Sequence, residues 1–219
     1  MNKGFEMTHR RKYVVNPKMR PEQRGASLIM VMIVLTIVSM IGIAGIQVSM
    51  MSERSARNDR DYQVAWQSAE AGLMDAENDI FGPGASSRRG VFGPTTNKSA
   101  FVDGCGTTAS GDSKGLCALA LTVTDKPAWV TADFDLSGNT ANTTEYGDFT
   151  GRTFAAGGKG IQPARRPRYV IEAIEDNAGV GSASRNLATE DPKYVFRVTA
   201  MGFGPRADIQ AVVQMMYRK

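Results

Sequence analysis

Between residues 26 and 52 the chain carries no charged side chain, 27 positions in a row. The most apolar part, residues 26–46, would extend about 30 Å as an α-helix, the thickness of a bilayer's hydrocarbon core. Helices buried in soluble cores seldom run so far without a polar face, so the pattern predicts a membrane span. The period changes at Glu53. Apolar or small side chains then recur at Tyr62, Ala65, Ala69, Leu73, Ala76 and Ile80, in steps of three and four, which marks an amphipathic helix over residues 53–80. Asp59, Arg60, Asp61, Gln67, Glu70 and Asp75 fall opposite and are expected in solvent. Phe81, Gly82, Pro83 and Gly84 form a strong stop. Together the two segments predict a rod of about 80 Å over residues 27–80, loosened at Gly42 and Gly45. A break around residues 49–52 would instead make two helices.

A period of two takes over near the C-terminus. "RYVIEAIE" (168–175), "KYVFRVTAMGF" (193–203) and "ADIQAVVQMMYR" (207–218) are rich in β-branched and aromatic residues and predict strands. Tyr194, Phe196, Val198 and Ala200 alternate with Val195, Arg197, Thr199 and Met201; Ile209, Ala211, Val213 and Met215 alternate with Gln210, Val212 and Gln214. "GFGPRAD" suits the turn of an antiparallel hairpin. One half-buried sheet face needs cover, and the helix over 53–80 offers a matching stripe. The expected class is therefore α+β, a long N-terminal helix packed through its C-terminal half on an antiparallel sheet. Residues 82–165 are rich in Gly, Thr, Asn and Ser and predict long loops, with Phe92, Phe101, Trp129, Phe134 and Phe149 as core material. Residues 116–124 fit a strand or a short buried segment.

Charge sharpens the picture. Seven of the 26 basic residues but only two of the 22 acidic ones lie in residues 1–25. That basic tail, just before the span, places the N-terminus in the cytoplasm and everything after residue 52 outside it. The remainder is nearly neutral, and Arg165, Arg166 and Arg168 are its one basic cluster. This is too little for a phosphate-neutralising face; a solvated loop accounts for the triplet, and no nucleic-acid partner is expected. A cleaved secretory signal is the rival for the N-terminus, with Gly42, Ile43 and Ala44 supplying small residues. Its apolar region is normally about 7–15 residues, shorter than the run found.

Candidate chemistry is sparse. The single histidine, His9, lies in the tail, which excludes Ser-His-Asp and Cys-His catalysis from the rest of the chain. There is no Gly-rich phosphate loop or nucleophile elbow. Glu172, Glu175 and Asp176 are near one another in sequence, but Glu172 and Glu175 point to opposite sheet faces and are expected in solvent. The chain reads as a non-enzyme without a cofactor. Cys105 and Cys117, on the oxidising side of the membrane, predict a structural disulfide worth up to about 3 kcal/mol; a reactive thiol pair is the alternative. Asp133, Asp135 and Ser137 fall at calcium-loop spacing with Gly138, but the closing position is Thr144, and a polar turn explains them as well.

The N-terminal residues also carry a resemblance. "QRGASLIMVMIVL" and "SERSARNDRDYQVAWQSAEAGLMDAE" resemble type IV pilins and pseudopilins. Together with "YVFRVTAMGFGPRADIQAVVQMMYRK" at the C-terminus, they resemble the PilX-type minor pilins in particular. The likeness covers residues 23–77 and about 194–219. It implies a leader at 1–25, a membrane or filament-core helix at 26–52, its amphipathic half at 53–81, and a periplasmic region at 82–219. Within that region, loops would fill 82–165 and the sheet 166–219. It also implies that the prepilin peptidase cuts between Gly25 and Ala26 and methylates the Ala26 amine. The subunit would sit in the bacterial inner membrane and then enter an extracellular pilus. Its implied partners are the major pilin, other minor pilins, the inner-membrane assembly platform and a large tip adhesin. Met30 departs from the pattern, because most pilins carry glutamate at this fifth mature position. A subunit at the tip has no neighbour above it to dock, so Met30 suits an initiator. A tip pseudopilin of a type II secretion system and a non-filamentous anchored periplasmic protein are the alternatives.

Overall fold

The computed structural model describes residues 26–82, 87–92, 96–118, 126–158, 160–175 and 193–218. The basic tail with Gly25, the Pro83–Gly84 stop, residues 119–124 of the candidate strand and Asp176 lie outside them. The chain falls into two compact units, Met1–Ser52 and Glu53–Lys219.

Helix α1 runs Ala26–Phe81. No helix break is found at residues 49–52 or at Gly42 and Gly45. In the first unit every described residue is exposed, and α1 is long and apolar enough to cross a membrane. Its hydroxyls are satisfied within the helix: Thr36 Oγ1 donates to the carbonyl of Met32 and Ser39 Oγ to that of Leu35, each at 2.7 Å. Both bonds follow the i to i−4 pattern, which leaves these donors paired in a medium without water. At the other end the helix stops where the sequence requires. Gly82 N–H donates to the carbonyl of Asn78 at 2.9 Å, and a Cβ at Gly82 would overlap that same oxygen.

The second unit is built on a mixed sheet. Its strands are β1 (Leu116–Cys117), β2 (Thr144–Glu145), β3 (Arg168–Glu175), β4 (Tyr194–Phe203) and β5 (Gln210–Arg218). The order is β1-β3-β4-β5, and β2 also pairs with β3. The three long strands are antiparallel as expected, Val170 opposing Thr199 and Thr199 opposing Gln214. The sheet is not purely antiparallel, because β1 runs parallel to β3, Leu116 opposing Ile171. It also draws β1 and β2 out of the loop-rich stretch 82–165. A parallel pairing of two residues has no local periodicity to announce it.

One sheet face packs on α1. Ala69, Leu73, Ala76 and Ile80 meet Tyr169, Ile171, Phe196, Val198, Ala200 and Val213 in one buried cluster with Phe92. The phenyl rings of Phe92 and Phe196 meet edge to face at 5.4 Å. The predicted stripe is therefore the buried one, except that Tyr62 is exposed. Small residues let the two backbones approach. A Cβ on Gly202 of β4 would overlap the amide nitrogen of Ala69 and the carbonyl of Ala65. The opposite sheet face carries a second cluster of Cys105, Cys117, Ala128, Phe134 and Val170. There Cys105 and Cys117 are joined by a disulfide.

Candidate functional site

Two features stand out, one in each unit. In the first unit, the run from Leu28 to Met51 presents its large apolar side chains to the surroundings; Met30 is 70% exposed and Met40 68%. No side chain of this run is acidic or basic. Ala26 is the first residue of α1, and Met30 lies one helical turn along it, among Val31, Val34 and other apolar side chains. Such a surface is stable only in lipid or against other apolar helices.

In the second unit, a buried charge cluster ties the loops to α1. Asp75 was expected in solvent, yet it has no exposure, and Asp79 is 2% exposed. Being four residues apart, the two share one helix face. Asp79 is held by Arg88, which is itself fully buried. The Arg88 guanidinium grips both carboxylate oxygens, with Nε donating to Oδ1 at 3.2 Å and Nη2 to Oδ2. Arg88 Nη1 donates to the carbonyl of Lys114 at 2.6 Å and Nη2 to Thr144 Oγ1 at 3.3 Å. The phenolic hydroxyl of Tyr169 donates to Asp79 Oδ2 at 3.2 Å, and the Phe149 ring lies 3.8 Å from the Arg88 guanidinium carbon. This planar fork with aromatic cover is chemistry that lysine would not supply. Burial, with the negative charge of Asp79 next, pushes the Tyr169 hydroxyl well above the usual phenol range.

Asp75 is held differently. It accepts the Gly147 amide at 2.8 Å and the Thr150 hydroxyl at 2.5 Å, with Arg152 3.9 Å away. Burial raises its carboxyl above the ordinary range; the two hydrogen bonds and Arg152 oppose that rise. None of Asp79, Arg88 and Tyr169 was singled out from the sequence. The available signal was an i, i+4 pair of aspartates beside an apolar stripe, which reads equally well as a solvated edge.

Two further expectations need correction. Glu172 is buried, not solvent-facing, and Arg197 clasps it with two bonds of 2.7 Å from Nε and Nη2. That clasp raises the Arg197 guanidinium further, against the effect of burial. Glu175 is exposed and pairs with Lys98 at 2.5 Å. Arg168 is no solvated loop residue either. It is 4% exposed and donates from Nη1 to the carbonyls of Phe134, at 2.8 Å, and Leu136. Arg165 and Arg166 do reach solvent, pairing with Asp135 and Glu145.

The candidate calcium residues serve their own turn. Asp133 Oδ1 accepts the amides of Asp135 at 2.8 Å and Leu136 at 3.3 Å. Asp135 accepts from Arg165 at 3.0 Å. Ser137 precedes a short 3-10 turn at Gly138–Thr140. Among the described residues no group of three or more His, Cys, Asp and Glu side chains is arranged to hold a metal.

Comparison with known families matches both parts of the chain. A model described as PilX N-terminal covers residues 24–73. A second, described as type IV pilus assembly protein PilX C-term, covers residues 52–219. No curated protein and no solved structure matches.

Proposed function

This chain belongs to the PilX family of type IV pilus assembly proteins, and from that premise we propose that it is a minor pilin acting at or near the filament tip. In this reading it helps to prime pilus assembly, and so supports twitching motility and adhesion. The observation that carries the reading is the uncharged, exposed helix of residues 26–52, with Met30 where a repeated subunit would carry a carboxylate. Apolar helices packed side by side bury their flanks without lipid. A carboxylate at that depth is costly unless paired; its counterpart in a repeated subunit would be the terminal ammonium of a neighbour. Met30 avoids the cost and gives up the contact, which an outermost subunit does not need.

The remaining steps follow from the same premise. The peptidase cuts after Gly25 and methylates Ala26. The anchored subunit keeps its N-terminus at the cytoplasmic side of the inner membrane and its second unit in the periplasm. It then joins other minor pilins, a large tip adhesin and the first major pilins on the assembly platform. Quantitative mass spectrometry of sheared pili tests this. The expected result is a level far below the main subunit, with a mature N-terminus at N-methylated Ala26. Parity with the main subunit, or a mature chain beginning at Met1 or Gly45, would overturn the proposal.

A further inference from the structure

The two sides of the sheet end differently. Beside β1 the edge is covered, because Val102 pairs with Cys117 and its carbonyl accepts the Ala118 amide at 2.9 Å. Strand β5 has a neighbour on one side only, β4. At the mouth of that hairpin the Gly204 amide donates to the Ile209 carbonyl at 2.7 Å. The register then continues unbroken from Gln210 opposite Phe203 to Arg218 opposite Val195. Antiparallel ladders alternate, so the backbone groups of Ala211, Val213 and Met215 turn toward β4. Those of Val212, Gln214 and Met216 turn outward. Among the described residues, no backbone bond from outside the ladder reaches these three, and all three are exposed.

Edge strands are usually kept from pairing with another chain by lysine, proline or a bulge. Strand β5 has none of these from Gln210 to Tyr217, a stretch without a charged side chain. On the face turned to α1 the edge is apolar and open. Trp66, Glu70, Leu73, Glu77 and Phe81 recur at helical spacing along one flank of α1. That flank lies on the β5 side. The Tyr217 hydroxyl donates to the Leu73 carbonyl at 3.2 Å, and the Tyr217 and Phe81 rings meet at 6.1 Å. Burial, with the negative charge of Glu77 next, raises the Tyr217 hydroxyl above its usual range. Trp66 and Phe81 on the helix and Met215 on the strand remain 42%, 38% and 48% exposed.

These features together select an occupant. Outward N–H and C=O groups on alternate residues are matched by an extended main chain. Side chains of such a strand that point toward α1 meet Trp66, Met215 and Phe81, which favours apolar ones. The two charges on that flank, Glu70 and Glu77, are both negative, and Glu70 accepts the Trp66 indole N–H at 2.8 Å. A second copy of β5 has no cation from Gln210 to Tyr217 to set against them. We propose that β5 accepts an added strand from a different polypeptide, an extended segment of alternating apolar residues with a lysine or arginine facing Glu70 and Glu77. This docking requires no particular position of the subunit in a filament.

Hydrogen exchange of backbone amides in the full chain, held in a zwitterionic detergent, tests this. The probe is a nine-residue peptide with valine at odd positions, threonine at even ones and lysine at the centre. It is expected to bind with a Kd of about 0.1 mM, and at about 1 mM to slow exchange at Val212, Gln214 and Met216 about tenfold. Ala211, Val213 and Met215, already bonded to β4, should not change. The same peptide with glutamate at its centre should bind at least about fivefold more weakly. Glu70→Gln and Glu77→Gln together should erase that difference. Val212→Pro removes an outward amide that β4 does not use and should weaken binding at least about tenfold while Ala211, Val213 and Met215 stay protected. Should that variant unfold, the main-chain contact is read on the parent chain instead, which must fail to bind the peptide with all its amides N-methylated. No slowing at the three outward amides would overturn the proposal. So would equal binding of the lysine and glutamate peptides, or binding of the N-methylated one. Protection of those amides without peptide, rising with protein concentration, would mark a second copy as the occupant and overturn it too.

Discussion

At the scale of single residues, the two buried aspartates of α1 pose opposite electrostatic problems. Asp79 has its counter-charge in direct contact, and Arg88 is in turn hydrogen-bonded to Thr144 and the Lys114 carbonyl. Removing one partner of such a pair typically costs about 3–5 kcal/mol, because a charge is left buried alone. Asp75 has only neutral donors in contact, with Arg152 at 3.9 Å and partly exposed. Burial outweighs those donors and raises its pKa in the folded chain. A carboxyl with a raised folded-state pKa favours folding when protonated, and that contribution disappears as pH rises through the raised value. Ionised Asp75 therefore weighs against the fold at neutral pH. Asp75→Asn keeps an acceptor for the Gly147 amide and offers an NH₂ donor to the Thr150 oxygen. Its stability relative to the parent chain should improve as pH increases from the acidic range to neutrality. Urea denaturation at a series of pH values measures this directly. A variant that falls further behind the parent with rising pH would show that the hydrogen bonds, not burial, dominate at this site.

At the scale of elements, the decisive contact is the seam between α1 and β4. The helix contributes Ala65, Ala69, Gly72 and Ala76, and the strand contributes Ala200 and Gly202. A Cβ on Gly72 would lie 3.2 Å from the Pro167 side chain and 3.3 Å from that of Ala200. The clash at Gly202 is with helix backbone, which cannot turn aside as a side chain can. Gly202→Ala should thus force the helix off the sheet and lower stability by about 1–3 kcal/mol, read as a drop in the urea midpoint at unchanged m value. An unchanged midpoint would mean that helix and sheet are not in contact at that depth. The elements on both sides of this seam were legible in the chain. Steps of three and four marked the buried stripe of the helix. Alternation over Tyr194–Phe203 marked the strand face that meets it, with Tyr194, Phe196, Val198 and Ala200 all buried. Those periods are local consequences of 3.6-residue turns and a two-residue pleat. Strand β1 was marked only as part of residues 116–124, a strand or a short buried segment, since its two residues are placed by distant partners, Ile171–Glu172 on one side and Val102 on the other.

At the scale of the whole molecule, what the sequence hid is what joins distant stretches. Asp75 is buried because Gly147 and Thr150, 72 and 75 positions later, close over it. Glu172 is buried although it sits on the sheet face away from α1, where it meets Arg197 on β4. A polar residue announces its burial only through partners, and partners this far apart leave no period to read. Charge pattern alone therefore sent Asp75, Glu172 and Arg168 to the surface. The same accounting separates the two units. Every buried residue among those described lies at or after Ala65, and none lies in residues 26–52. The apolar half of α1 thus contributes no core to the second unit. The helix turns that do contribute, from Ala65 to Ile80, are retained in full when the chain starts at Glu53. The Glu53–Lys219 segment should therefore be soluble without detergent, form the Cys105–Cys117 bridge, and unfold in one cooperative transition. Its thermal midpoint should equal that of the full chain when both are measured in the same detergent. A segment that precipitates, or melts without cooperativity under oxidising conditions, would show that residues 26–52 support the fold as well as anchor it.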